Sequence, residues 1–362
     1  MNRLNRIYSG IKWLSCLILC GCITEFNAPQ IDGMADILVA EGIITNGESV
    51  ITLSRSVNLL DDEVNFTFVN NAIVYVECEE DESRMYAEEY VFPRFNGRYL
   101  IHTGTLNPDY RYRLRIEIDE SVYGSDYTHP IQTPEIDSIF WTKRGRGQPV
   151  NIHVATHSPD NRVLYYRWSY REDWEFQSYM YHDDYTNRCW QMAVSREILI
   201  GSPERTVFGR ITDIINTVSP SSAKFSSLYR ITVTQNAISK RAYDYFANVK
   251  KNAQQIGSIF APIPSELRGN IRCLTEPDRP VIGFIDISTT TQKIQYIRPQ
   301  EVYEFQTRWE CRLYSIDEMR EMYEEGPFPE HYVIYEAGLY VILSCVDCSV
   351  YGTRPKPDDW PN

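Results

Sequence analysis

Seven short segments of alternating apolar and polar residues follow one another within positions 37–133, and turn signals separate several of them. Alternation sends one side chain into a core and the next into solvent, which is the pattern of a half-buried strand. The segments are 37–45, 49–55, 72–78, 86–92, 97–102, 110–118 and 121–127. Between them stand Asn46-Gly47, Asn96-Gly97 and Asn107-Pro108-Asp109. Asn-Gly supplies the positive backbone angles of a tight hairpin, and proline fixes its own angle in a turn. About seven strands in ~100 residues bury their apolar faces most simply as two packed sheets. The expected fold is therefore mainly β, with an N-terminal β-sandwich over 37–133.

Leu106-Asn107-Pro108-Asp109-Tyr110-Arg111-Tyr112 resembles the tyrosine corner of immunoglobulin- and fibronectin-like domains. There a tyrosine ring fills the core while its hydroxyl bonds backbone a few residues upstream. Thr133-Pro134-Glu135 closes this unit, since proline interrupts a strand ladder. The remainder, 134–362, reads as a larger β-rich domain. Its candidate strands are 151–157, 164–171, 228–235, 281–287 and 292–297, and 178–225 shows no clear pattern. One helix is expected at about 239–256. Ser239 is a fitting N-cap, and Ala242, Tyr245, Phe246, Val249 and Ala253 recur at helical spacing before Gly257. Pro355, Pro357 and Pro361 should keep the tail extended.

Residues 1–21 have the build of an export signal. Arg3, Arg6 and Lys12 precede the apolar run Trp13-Leu14-Ser15-Cys16-Leu17-Ile18-Leu19-Cys20. Eight residues span only ~12 Å as helix, against a hydrocarbon core of ~30 Å. Leu19-Cys20-Gly21-Cys22 then matches a lipobox: an aliphatic residue, two small ones, and a thiol to carry the lipid. Cys22 is expected to be acylated with palmitate-type chains, which anchor durably when several act together. Residues 22–36 would form the tether, and no other segment has the length and apolarity of a membrane-spanning helix.

Nine cysteines are present. Cys16 and Cys20 leave with the signal, and Cys22 takes the lipid. An exported body meets oxidising conditions, so Cys189, Cys273, Cys311, Cys345 and Cys348 are expected to form disulfides. Their connectivity is open. Cys78 stands apart and is expected to be a free buried thiol. Cys345-Val346-Asp347-Cys348 has neither the second close pair of a zinc site nor the βαβ setting of a redox motif.

The formal net charge of −13 at pH 7 disfavours a phosphate backbone as partner, so nucleic acid is not expected. Gly-x-Ser-x-Gly, His-Glu-x-x-His, the phosphate loop and the dinucleotide fingerprint are all missing. No catalytic residue, cofactor or metal is therefore assigned. His153 and His157 look like a metal pair, but four residues of strand span ~13 Å. The acidic run Glu79-Glu80-Asp81-Glu82 and the cluster Tyr181-His182-Asp183-Asp184 read as solvated loops. The 26 tyrosines favour strands. Tyr166, Trp168 and Tyr170 share one strand face, with Trp174 close by, and could stack on a sugar or apolar ligand. The competing reading of the same face is core.

Several segments in order resemble the Bacteroidota lipoproteins of the domain-of-unknown-function 4249 family. They are 165–176, Cys189-Trp190, 242–246, 255–260, 269–273, 280–284 and Cys345-Val346-Asp347-Cys348 with Gly352-Thr353. The resemblance implies an outer-membrane lipoprotein, of the kind often encoded beside a TonB-dependent nutrient-uptake receptor. It carries over no catalytic residue. The expected function is a non-enzymatic accessory or binding subunit of such a receptor, with a glycan or peptide as ligand. The alternatives are a cell-envelope adhesion or spacer lipoprotein and, third, a hydrolase.

Overall fold

In the computed structural model, the described residues are 36–56, 67–88, 96–160, 162–163, 165–182, 187–203, 210–219, 222–255, 269–302, 311–323, 327–357 and 359–361. The signal segment, Cys22 and nearly all of the tether lie outside them, as do residues 89–92 of one expected strand. The architecture is mainly β.

The first unit opens with β1 (Leu38–Ile44), β2 (Gly47–Arg55), β3 (Thr67–Phe68), β4 (Ile73–Cys78) and β5 (Arg84–Tyr86). β6 (Arg98–Gly104), β7 (Tyr112–Ile118) and β8 (Ser121–Ser125) follow. In β7 the residues Tyr112, Leu114, Ile116 and Ile118 point inward, while Arg113, Arg115 and Glu117 point out. One sheet holds β1, β2, β3 and β6, and the other holds β8, β7, β4 and β5. Their inner faces share a core that includes Ile51, Leu53, Val76, Ile101 and Leu114. The Tyr112 hydroxyl accepts from the Asn107 N–H at 2.9 Å, and the ring is 5% exposed. The corner drawn from the sequence is thus formed.

The second unit contains β9 (Ile136–Lys143), β10 (Val150–His157), β11 (Tyr166–Gln177), β12 (Arg188–Val194), β13 (Leu199–Gly201), β14 (Arg210–Val218) and β15 (Tyr229–Ala237). The stretch 178–225, patternless in sequence, thus supplies β12, β13 and β14. Sheet β14-β10-β9 packs on a sheet built from β12, β13, β11 and β15. Helix α1 (Lys240–Gln255) follows β15. Ser239 caps it, its Oγ accepting from the Ala242 N–H at 3.1 Å.

The boundary expected at residue 133 is not where the first unit ends. After α1 the chain returns as β16 (Ile271–Cys273), β17 (Val281–Gly283) and β18 (Asp286–Ile287). β16 joins β8, and β17 and β18 run parallel to β1. Ile271, Cys273, Ile285 and Ile287 belong to the first core. Sequence separation hides such pairing, because two- and three-residue strands carry no period of their own. At Gly283 φ is +144°, and a Cβ would stand 2.2 Å from the Ala40 carbonyl oxygen. Only glycine lets the strands approach so closely there.

β19 (Thr290–Ile297) then enters the second unit beside β15. The short helices α2 (Pro299–Val302) and α3 (Ile316–Met322) and the hairpin of β20 (Tyr332–Ile334) and β21 (Tyr340–Ile342) complete the chain. The two units are sutured at their seam. Thr45 and Thr290 hydroxyls meet at 2.7 Å, and the buried Asp286 carboxylate accepts from the Ser239 N–H at 2.7 Å. Among the described residues no helix is long and apolar enough to cross a membrane.

Candidate binding face

The aromatic strand is not a ligand platform. Tyr166, Trp168 and Trp174 are buried in the second core, and Tyr170 packs against it half-buried. Trp168 donates its indole N–H to Gln235 at 2.8 Å, deep between the sheets. The alternation that lined these rings up was the signature of a sandwich interior, with the facing sheet in the place a sugar would take.

Polar residues further along β11 are also buried. Glu172 accepts from Asn216 and Tyr229 at 2.7 Å and from Lys224 at 2.5 Å. Asp173 is held by Arg171 at 2.7 Å and Arg230 at 2.9 Å. Glu175 takes two bonds from Arg188, at 3.0 and 2.9 Å. Arg230 also reaches Asp359 at 2.7 Å, with the Trp360 ring 5.2 Å from its guanidinium. These carboxylates have their oxygens engaged. Glu172 ties β11 to β14 and β15, while Asp173, through Arg230 and Asp359, and Glu175, through the Trp360 indole N–H, tie it to the C-terminal strap that begins at residue 343. Trp190 and Thr353 exchange backbone hydrogen bonds on the same strap.

Two disulfides secure that region. Cys189 pairs with Cys348 across 159 residues, and Cys311 pairs with Cys345 across 34. Cys345 and Cys348 thus belong to different bridges. Cys273 corrects the sequence expectation: it is a free buried thiol, as is Cys78. Cys273 sits on β16 facing the first core, far along the chain from the strap where the bridged cysteines gather.

The remaining sequence candidates resolve into local structure. His153 meets the Thr142 hydroxyl at 2.8 Å and stacks on Phe140, whereas His157 meets Asp137 at 2.8 Å. In the acidic run, Arg111 pairs with Glu79 and Glu80, and Asp81 accepts from the Ser83 N–H. His182 lies beside the Tyr335 ring, and Asp183 and Asp184 fall outside the described residues. Among the described residues, no three His, Cys, Asp or Glu side chains are grouped to hold a metal ion.

Sequence reading missed a different face, the outer surface of the sheet β16-β8-β7-β4-β5. Residues directly opposite each other on neighbouring strands point to one side. Arg115 stands opposite Gly124, and Gly124 opposite Arg272. The next row places Arg84 and Arg113 on either side of Glu77. Arg113 donates to Glu77 at 2.7 and 2.5 Å, lies 4.2 Å from the Tyr127 ring centroid, and Tyr127 donates to the same carboxylate at 3.0 Å. Burial opposes the charge of Glu77, but the hydrogen bonds from Arg113 and Tyr127 prevail and lower its pKa. Burial and the bond to Glu77 push the Tyr127 hydroxyl up to about 12.

A groove of about 390 Å³ opens where Gly124 leaves its row without a side chain. Arg113, Tyr127, Arg272, Leu274 and Pro277 stand around it. At its rim Asp126 is paired with Arg272 and with Arg241 of α1. The one advance sign was the alternation Arg111-Tyr112-Arg113-Leu114-Arg115, which predicts arginines along one strand face.

Residues 23–294 match the family model described as a domain of unknown function, DUF4249. The chain belongs to this family. Within DUF4249 the matched span includes both sandwiches and the groove, and it ends inside β19, before the strap. Among curated proteins none matches the chain. Solved structures that match include the selenomethionine-substituted chicken interferon gamma receptor alpha chain, at 8% identity and a TM-score of 0.16, covering 56% of this chain and 89% of that one. The FN1–FN3 domains of chicken CNTN1 match at 14% identity and a TM-score of 0.19, covering 56% of this chain and 61% of that one.

Proposed function

We propose that this chain is a lipid-anchored, non-enzymatic binding subunit of the outer membrane that works with a TonB-dependent nutrient-uptake receptor. The observation that carries the reading is Leu19-Cys20-Gly21-Cys22 behind a basic and apolar leader. The family match begins at residue 23, immediately after the cysteine that would take the lipid. Two disulfides suit a body exported to an oxidising compartment. The non-enzymatic part rests on the engagement of Glu172, Asp173 and Glu175 in structural ion pairs and hydrogen bonds within the second unit. The receptor partner is supported only by the resemblance to lipoproteins that are often encoded beside TonB-dependent receptors.

Metabolic labelling with an alkynyl palmitate tests the anchor: label is expected on the native chain and absent from Cys22→Ala. Affinity purification of the native protein from mild detergent tests the partnership. Recovery without any outer-membrane barrel would sink it. A cell-envelope spacer or adhesin is the second reading, favoured by two sutured sandwiches carried on one tether. Loss of surface attachment on deletion, with nutrient uptake unchanged, would select it.

A further inference from the structure

We propose that the groove over Gly124 binds a small organic acid, a molecule of about one ring whose carboxylate is taken by arginine. This names the ligand class of the proposed binding subunit and rests on that reading.

Four observations converge. The groove has a volume of about 390 Å³, at the lower end of the usual range for small-molecule sites. Its cations outnumber its anions. Arg113 and Arg272 line it, and Arg115 and Arg241 stand beside it, against Glu77 and Asp126. That local excess stands out in a chain of formal charge −13. Arginine presents a planar fork of donors that matches a carboxylate in two bonds.

The third observation is an orphan donor. Arg115 Nε is buried and has no acceptor. The Arg115 side chain passes beside Gly124, its Cδ 3.6 Å from where a Cβ there would stand. Buried donors are nearly always satisfied, so one left open beside a groove calls for an acceptor from outside. The fourth is the apolar wall. Leu274 is exposed, and it lines the groove with Pro277 and the Tyr127 ring. A bare inorganic anion would leave that wall in water, whereas an organic acid covers it.

Gly124 keeps the groove open. A Cβ there would meet the Leu274 Cδ1 at 3.1 Å, the far end of a flexible side chain. The backbone at Gly124 does not require positive φ, so valine is accommodated in the strand.

The test uses the full purified chain in a sugar-free detergent. D-glucuronate, benzoate, D-glucose and inorganic phosphate are titrated by calorimetry, with the arginine Nε–H signals followed by NMR. At least one of the two carboxylates is expected to bind and to shift the Arg115 signal. D-glucose should bind far more weakly than D-glucuronate. Arg272→Gln is expected to weaken binding about ten-fold, the worth of one charge-assisted hydrogen bond, and Gly124→Val to weaken it by at least as much by filling the groove. Unchanged circular dichroism would show that both variants fold.

The proposal is overturned if neither carboxylate binds, if Gly124→Val binds as well as the native chain, or if D-glucose matches D-glucuronate. Phosphate binding as tightly as the carboxylates would also overturn it. Carboxylate binding without recovery of a receptor would remove the receptor reading and leave the ligand class standing. Recovery without carboxylate binding would do the reverse.

Discussion

The Arg230 guanidinium lies 2.7 Å from the Asp359 carboxylate, so a strand in the middle of the second sandwich and the C-terminal tail share one ion pair. Asp173, 1% exposed, sits on the other side of the same arginine at 2.9 Å. The two carboxylates have unequal weight. Removing one partner of a buried pair leaves an uncompensated charge and costs about 3–5 kcal/mol. An exposed partner contributes roughly 0–1 kcal/mol, and the Asp359 side chain is 69% exposed. Arg230→Ala should therefore lower the urea midpoint strongly without changing the slope, while Asp359→Asn barely moves it.

The seam between the units should respond to pH through Asp286. Burial raises its pKa, against the opposing hydrogen bonds from Ser239. A group raised in the folded state contributes its stability below the unfolded value, about 3.9 for aspartate, and loses it as pH rises through the folded value. Asp286→Asn stays neutral throughout. Relative to the native chain, the variant should therefore gain stability between about pH 4 and about pH 7. Urea unfolding at both values measures the difference, and no change between them would refute the raised pKa.

Peptide mapping without reduction should recover Cys189 linked to Cys348 and Cys311 linked to Cys345. Cys78 and Cys273 should alkylate only after unfolding, being 1% and 2% exposed. Replacing Cys189 and Cys348 together by serine should cost about 2–5 kcal/mol. It should also raise protease sensitivity in the strap.

Tyr112→Phe deletes one atom at the corner of the first sandwich. The Asn107 N–H then loses its acceptor, a penalty of about 1–3 kcal/mol when such a donor stays buried. Thermal melting should show the loss.

Trp168→Ala separates a core role from a binding role. It should cost about 3–5 kcal/mol as a large core truncation. Carboxylate affinity of the folded fraction should be unchanged, because Trp168 lies in the second core, away from the groove.

The parts of this molecule that could be read from sequence are those where one strand carries its own evidence. β7 declares both its faces in the alternation of Tyr112, Leu114 and Ile116 with Arg113, Arg115 and Glu117. α1 declares its apolar stripe and its Ser239 cap. The return of β16, β17 and β18 to the first sandwich could not be read so. Val281 finds Leu38 only through folding, and three residues are too few to show a period. The groove was hidden for the same reason, since Arg113, Gly124, Arg272 and Leu274 come from three strand regions and one loop. The rings on β11 misled in the opposite sense. Tyr166, Trp168 and Tyr170 were placed correctly on one face, but a single strand does not show what covers that face.

β1 lies inside its sheet, with β2 along one edge and β17 and β18 along the other. Among the described residues it is also the first strand. Tension arriving through the N-terminal segment would therefore run along β1, parallel to its axis. The ladders on both edges would be loaded in shear, with their hydrogen bonds sharing the force instead of parting one at a time. One of those edges is made by residues more than 230 positions further on, since Leu38 pairs with Val281. A pull on the N-terminal segment would thus be borne by the late-returning strands as much as by the early one, and the first sandwich would hold mechanically only once the chain had been made past Ile287.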